Sequence, residues 1–205
     1  MMGGEAADRI KVVSIEVMHR AAAGKGRKPA EHKPFWVFGY GSLMWDPGFA
    51  YIEARRARVF GYHRALCLLS VRNRGTPQKP GLVLSMDRGG SCHGIAFRVA
   101  PPDVESTRRY LWEREMITSA YRPALLNARF RGGSRAKMLA FVAKPDHEQY
   151  FRAESPEHAV ELVRQGRGAR GDAVDYLRNV IRHLDEMGIA EGPLHRVLKA
   201  AEADD

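Results

Sequence analysis

Phe35-Trp36-Val37-Phe38-Gly39-Tyr40-Gly41-Ser42-Leu43-Met44-Trp45 opens the folded part of this 205-residue chain. Its first six residues are aromatic, β-branched or glycine, the composition of a buried strand. Gly39 and Gly41 follow where that strand ends, and glycines there let the backbone present successive N–H groups. A row of such donors suits a carboxylate or a developing oxyanion. Three better-known glycine motifs do not fit. The third glycine of the dinucleotide fingerprint and the Gly-Lys-Ser/Thr of a P-loop are both missing. Nor does Ser42 sit in a Gly-x-Ser-x-Gly elbow. Taken alone, the segment is equally readable as an ordinary turn after a strand.

Working outward, further strands are expected over Ala57 to Val71, Leu82 to Met86, Cys92 to Val99, Leu125 to Arg131 and Lys137 to Ala143. Within Cys92 to Val99, Ile95, Phe97 and Val99 alternate with Gly94, Ala96 and Arg98, the period of a strand with one buried face. Three helices interrupt or follow these strands. The first runs from about Pro102 to Ile117, with Asp103 placed to cap it. The second starts after Ser155-Pro156, a cap followed by a first-turn proline. The third spans Ala173 to Met187, where Leu177, Val180, Ile181 and Leu184 form an apolar stripe ending at Gly188. Strands with one inserted helix and a helical C-terminal part predict an α+β fold with a curved or barrel-like sheet. There is no internal repeat, and no regular strand–helix alternation of a doubly wound fold.

Residues 1–34 read as separate: a short helix over Ile10 to Met18, then a flexible basic linker over Ala21 to Pro29. The predicted domain covers 35–200. Lys and Arg number 33 against 24 Asp and Glu, a net charge of +9. That excess favours anionic partners without choosing among small acids, nucleic acid and membrane. The basic residues are scattered, the pattern of a solvated surface. Cys67 and Cys92 have no metal-pair spacing and read as reduced strand residues. No apolar run reaches transmembrane length, and Glu5 and Asp8 precede any apolar stretch, unlike a secretory or transit signal. A cytoplasmic protein is expected, with no membrane association and no obligate protein partner. The histidines show no ligand spacing, so neither a metal nor a cofactor is expected.

Val104, Leu111 and Glu115 are spaced by seven and four and share one face of the first helix, with Glu113 almost opposite. A carboxylate on the core-facing stripe is costly unless it is paired or protonated. Spacing leaves two readings open: a buried salt bridge to an arginine, or a general base with a raised pKa.

Tyr40-Gly41-Ser42-Leu43-Met44-Trp45 resembles the opening signature of ChaC-type glutathione-specific γ-glutamylcyclotransferases. The likeness continues in order through Gly61-Tyr62-His63-Arg64-Ala65, Arg74-Gly75-Thr76, Pro80-Gly81-Leu82-Val83-Leu84 and Gly94-Ile95-Ala96-Phe97-Arg98. It extends through Trp112-Glu113-Arg114-Glu115-Met116-Ile117-Thr118, Tyr121 and Tyr176-Leu177, spanning roughly Trp36 to Leu184. One departure is Gly171-Asp172-Ala173, where the family often has Gly-x-Asn; Asp172 is placed to cap the helix that follows.

The resemblance implies a small curved β-barrel flanked by helices, and cleavage of glutathione to 5-oxoproline and Cys-Gly. It implies that Glu115 is the catalytic carboxylate and that Tyr40, Gly41, Ser42 and Leu43 receive the γ-glutamyl group. Tyr121 and Tyr176 would line the same pocket. Other γ-glutamyl amino acids or amines are alternative substrates. A non-catalytic protein binding nucleic acid or another anion is the alternative of a different class; the chain lacks a nucleic-acid motif with interleaved aromatics.

Overall fold

The structure is a computed structural model and describes residues 34–203. The helix expected over Ile10 to Met18 and the linker after it lie outside the described residues. Five strands close into a barrel: β1 (Phe35–Gly39), β2 (Glu53–Ser70), β3 (Gly81–Val99), β4 (Tyr121–Phe130) and β5 (Arg135–Ala143). Their order round the barrel is β1-β3-β2-β4-β5. All neighbouring pairs are antiparallel except β1 with β5, which meet in parallel through Val37 and Leu139 and close the barrel. Four helices accompany it: α1 (Val104–Glu115), α2 (Pro156–Gln165), α3 (Ala173–Glu186) and α4 (Gly192–Glu202). None of the helices is long and apolar enough to cross a membrane.

Alternation along β1 sorts its side chains between two cores. Trp36, Phe38 and Tyr40 point inward and pack with Val59, Met86, Ala96, Met138 and Val142. Val37 points outward and packs, with Val99 and Phe141, against Leu111 of α1. A larger outer core joins Leu82, Leu84, Ile95 and Phe97 to the apolar faces of α2, α3 and α4.

Several sequence expectations need correction. Leu82 to Met86 and Cys92 to Val99 belong to one 19-residue strand. Gly89 and Gly90, at φ of 97° and 66°, absorb an irregularity opposite Gly61 rather than ending the strand. The end of β3 is also buried on both faces, because Ala96 faces the barrel interior while Ile95 and Phe97 face the helices. Closing the sheet and covering it with helices removes the solvent face that alternation implied. Asp103 precedes α1 but its side chain makes no cap bond; a single 3-10 turn over Pro101–Asp103 leads into the helix instead. That helix ends at Glu115, two residues before the expected limit. Ser155 does cap α2, accepting from the His158 amide at 3.2 Å. Asp172 makes no such bond at α3; its carboxylate lies 3.3 Å from Arg167 across a two-residue hairpin, Arg167–Gly168 with Gly171–Asp172. Neither that hairpin nor α4 was expected. Both thiols are free and buried, and burial raises Cys67 to about 12 and Cys92 to about 11.

Candidate active site

Gly39 closes β1, and the chain turns at once into a single 3-10 turn, Ser42–Met44. The Met44 amide bonds back to the Gly41 carbonyl at 2.9 Å. Both glycines are required by close approach, not by a positive φ. A Cβ on Gly39 would lie 3.0 Å from the Leu43 Cβ, and one on Gly41 would lie 3.2 Å from the Tyr176 hydroxyl. The backbone is thus folded flat against its own next turn and against α3.

Arg64 holds this turn from beneath. Its side chain is fully buried. Nε donates to the Tyr40 carbonyl at 2.7 Å and Nη2 to the His93 carbonyl at 2.6 Å. Nη1 meets the Glu191 carboxylate at 2.5 Å, just before α4. One planar guanidinium therefore ties the turn to β3 and to the C-terminal helix.

Glu115 arrives from the other side. Leu111 anchors α1 against β1 and β5, and the last turn of the helix carries Glu115 to the barrel mouth. Glu113, as expected, is exposed. Arg114 links Glu115 to the glycine turn. Its Nε lies 3.2 Å from the Glu115 carboxylate, and Nη2 donates to the Ser42 hydroxyl oxygen at 3.0 Å. Nη1 donates to the Asp46 carbonyl at 2.7 Å and to the Tyr110 hydroxyl at 2.8 Å. Glu115 thus has both the arginine partner and the raised pKa that its position on the buried face allowed. It is ion-paired with its own neighbour, yet burial outweighs the nearby Arg114 and Arg170 charges and raises its pKa above 4.5.

All seven residues that the resemblance singled out border one small inner cavity of 40 Å³: Tyr40, Gly41, Ser42, Leu43, Glu115, Tyr121 and Tyr176. Leu84 and Phe141 complete its wall. The Tyr40 hydroxyl is committed, donating to the Phe141 carbonyl at 2.8 Å. Tyr121 donates to the Leu84 carbonyl over a longer 3.4 Å. Burial raises all three phenols, Tyr176 to about 12, and the Glu115 carboxylate adds to each shift. They therefore remain neutral hydrogen-bond donors. The inner cavity shares Ser42, Glu115, Tyr121 and Tyr176 with an outer cleft of 590 Å³ that also receives Arg72, Arg74, Arg114 and Arg170. Arg64, Arg74 and Arg114 lie in segments that carry the resemblance, yet neither they nor Arg72 and Arg170 stand out as site components in the sequence, because arginine is abundant and scattered there. Among the described residues no group of three or more His, Cys, Asp or Glu could hold a metal ion.

Gly41→Ala tests the tightness of this wall. The new methyl would push the Tyr176 hydroxyl by a few tenths of an ångström, from a ring that is itself buried. We expect kcat/KM to fall about tenfold, since small displacements at a reacting centre are costly. Unchanged kinetics would show that the Gly41–Tyr176 contact does not shape the site.

A family described as "ChaC-like protein" matches residues 35–203. The chain is 32% identical over 165 residues to the glutathione-specific gamma-glutamylcyclotransferase of Escherichia coli strain K12, covering 80% of this chain and 71% of that protein. It is 31% identical over 156 residues to glutathione-specific gamma-glutamylcyclotransferase 1 of Homo sapiens, covering 74% and 70%. Among solved structures, the fold is similar to that of a yeast gamma-glutamyl cyclotransferase specific to glutathione. That match has a TM-score of 0.76 at 18% identity and covers 83% of this chain and 96% of the other. This chain belongs to the ChaC-like protein family.

Proposed function

We propose that this protein is a γ-glutamylcyclotransferase that cleaves glutathione into 5-oxoproline and Cys-Gly. The observation that carries the reading is a buried carboxylate with a raised pKa, Glu115, facing a glycine turn and three neutral phenols across one small cavity. The relatives named glutathione-specific gamma-glutamylcyclotransferase supply the substrate.

The reaction needs no protein nucleophile. In a γ-glutamyl peptide the α-amine and the γ-carbonyl belong to one short chain, and their meeting closes a five-membered lactam. A well-oriented intramolecular attack of this kind reaches effective molarities of about 10⁵ to 10⁸ M. The substrate arrives as an ammonium, which cannot attack, so Glu115 takes its proton. The amine nitrogen then bonds to the γ-carbon as the tetrahedral centre forms. The bond to the cysteine nitrogen breaks as Glu115 returns the first proton to that nitrogen. The freed carboxylate then takes the second proton from the ring nitrogen and passes it to the same amine, so Cys-Gly departs as an ammonium and Glu115 is ionised again. Raising the Glu115 pKa above the ordinary glutamate value brings it nearer that of an amine and strengthens it as acceptor of the ammonium proton.

Amides of Gly41 to Leu43 anchor the α-carboxylate, and this fixes the amine over the γ-carbonyl. Ser42 binds rather than attacks: its oxygen accepts from Arg114, which leaves its hydroxyl hydrogen for substrate. Tyr121 and Tyr176 line the pocket as neutral donors towards the carbonyl.

Incubation of the purified protein with glutathione, with γ-Glu-Ala alongside, tests the proposal by chromatography of 5-oxoproline and Cys-Gly. Release from glutathione is expected. Release from γ-Glu-Ala alone would keep the chemistry and overturn the substrate, and no release from either would overturn the enzyme.

A further inference from the structure

The outer cleft holds an excess of positive charge that the ring-closing step does not use. Of the four arginines lining it, Arg114 is paired with Glu115 and lies 3.9 Å from Asp46. Among the described residues, no carboxylate oxygen lies within 4.0 Å of Arg72, Arg74 or Arg170. Among the described residues, the Arg74 side chain makes one hydrogen bond, a long one of 3.4 Å from Nη1 to the Asp172 carbonyl. Its guanidinium lies 5.5 Å over the ring of Tyr176, whose hydroxyl faces Gly41 in the inner cavity. Arg74 is thus one aromatic ring away from the centre where the lactam forms.

This cationic end is built rigidly. The Arg74 amide donates to the Ser70 hydroxyl at 2.9 Å. The short hairpin before α3 docks onto the same loop, with the Ala169 amide on the Arg72 carbonyl and the Arg170 amide on the Asn73 carbonyl, both at 2.9 Å. A Cβ on Gly168 would lie 2.5 Å from the Asn73 carbonyl carbon, and one on Gly75 would lie 2.2 Å from the Gly81 nitrogen. Direct backbone-on-backbone packing therefore sets Arg170 beside Arg74. Burial lowers the Arg74 pKa from its usual value, and the Arg170 charge adds to that effect against the opposing influence of Tyr176, Asp175 and Asp172.

We infer that Arg74, flanked by Arg72 and Arg170, forms a carboxylate-binding end of the cleft that selects γ-glutamyl peptides whose leaving portion ends in a free carboxylate. The inference rests on the cyclotransferase reading above. With the γ-glutamyl group in the inner cavity, the leaving peptide extends past Tyr176 into the outer cleft. Glutathione ends there in a glycine carboxylate, which a planar guanidinium binds with paired N–H donors. Neutral γ-glutamyl amines carry no such group, so the subsite discriminates against them.

The test compares kcat/KM for glutathione and for its glycine monoethyl ester in the wild type, Arg74→Met and Arg170→Met. The wild type should prefer the acid by about 10- to 100-fold, the scale of a lost charge-assisted contact. That ratio should fall towards one in Arg74→Met and by a smaller factor in Arg170→Met, with the loss carried by KM more than by kcat. Arg170 is exposed on the hairpin, so its variant carries the test if Arg74→Met does not fold. Equal use of acid and ester by an active wild type, or an unchanged ratio in the variants, would overturn the subsite and leave the ring-closing reaction standing. A wild type that forms no 5-oxoproline from either compound would overturn both.

Discussion

Glu115→Gln is expected to lower turnover of glutathione by about 10²- to 10⁴-fold, the usual contribution of a positioned acid–base group. The amide keeps the size of the side chain and can still accept from Arg114, so circular dichroism should remain that of the wild type. Two pH effects follow from the raised pKa of Glu115. Only the ionised carboxylate accepts the amine proton, so kcat/KM of the wild type falls as pH drops through that raised value. The residual activity of the variant should lack this acidic limb. Stability moves in the opposite sense. A carboxyl group whose folded pKa lies above its unfolded value favours the fold below about pH 4.5, and that contribution is lost as pH rises through the folded pKa. Near neutrality the wild type therefore bears the cost of a desolvated carboxylate that the variant lacks. Glu115→Gln should melt at a higher temperature than the wild type at pH 7.5, with the difference vanishing near pH 4. A variant that retains full turnover would remove Glu115 from the reaction.

Arg64→Met should be the most damaging single change to stability, at about 3 kcal/mol. The methionine fills much of the space of the arginine stem, but it abandons three acceptors: the Tyr40 and His93 carbonyls and the Glu191 carboxylate. Two of these sit inside the protein, where an unsatisfied carbonyl is costly. Glu191 is part exposed, at 25%, and can turn to water, which keeps the loss at the lower end of the range for a broken buried pair. For a domain of this size the change corresponds to roughly 6–12 °C in melting temperature. Arg64→Lys should rescue little, since one ammonium cannot reach acceptors on β3, the glycine turn and the approach to α4 together. Glu191→Gln, which leaves both carbonyl contacts in place, should cost much less. Thermal melts of the three variants at one pH check the ordering. A loss below about 1 kcal/mol for Arg64→Met would show that the turn and the C-terminal helix hold without this clamp.

Much of the barrel was legible because its signals are local. The aromatic and β-branched run at Phe35 to Gly39 reads as a buried strand from its composition. Ser155-Pro156 and Gly188 marked helix limits by capping chemistry that involves only near neighbours. The seven-and-four spacing of Val104, Leu111 and Glu115 put a carboxylate on the buried face of α1 before any tertiary contact was known. Local signals misled within the long β2–β3 ladder. Gly89-Gly90 has the composition of a turn, yet the strand runs through it because Gly61 on the neighbouring strand absorbs the same irregularity.

The candidate site divides along the same line. Its residue types followed from the sequence through the likeness of the Tyr40-to-Trp45 and Trp112-to-Thr118 segments to a known family. Their meeting did not, because Tyr40, the stretch holding Glu115 and Tyr121, and Tyr176 are far apart in the chain and share a cavity only once the barrel closes and α3 packs against it. The arginines show the limit most plainly. In sequence Arg64, Arg74, Arg114 and Arg170 are four members of a scattered basic set. Folding buries the first under the glycine turn, pairs the third with Glu115, and brings the other two to one end of the cleft. Periodicity and capping depend on neighbours within a turn or two, and the sequence determines them directly. Which charge is buried, paired or left facing a cleft depends on what the rest of the chain brings beside it, and only the tertiary structure decides that.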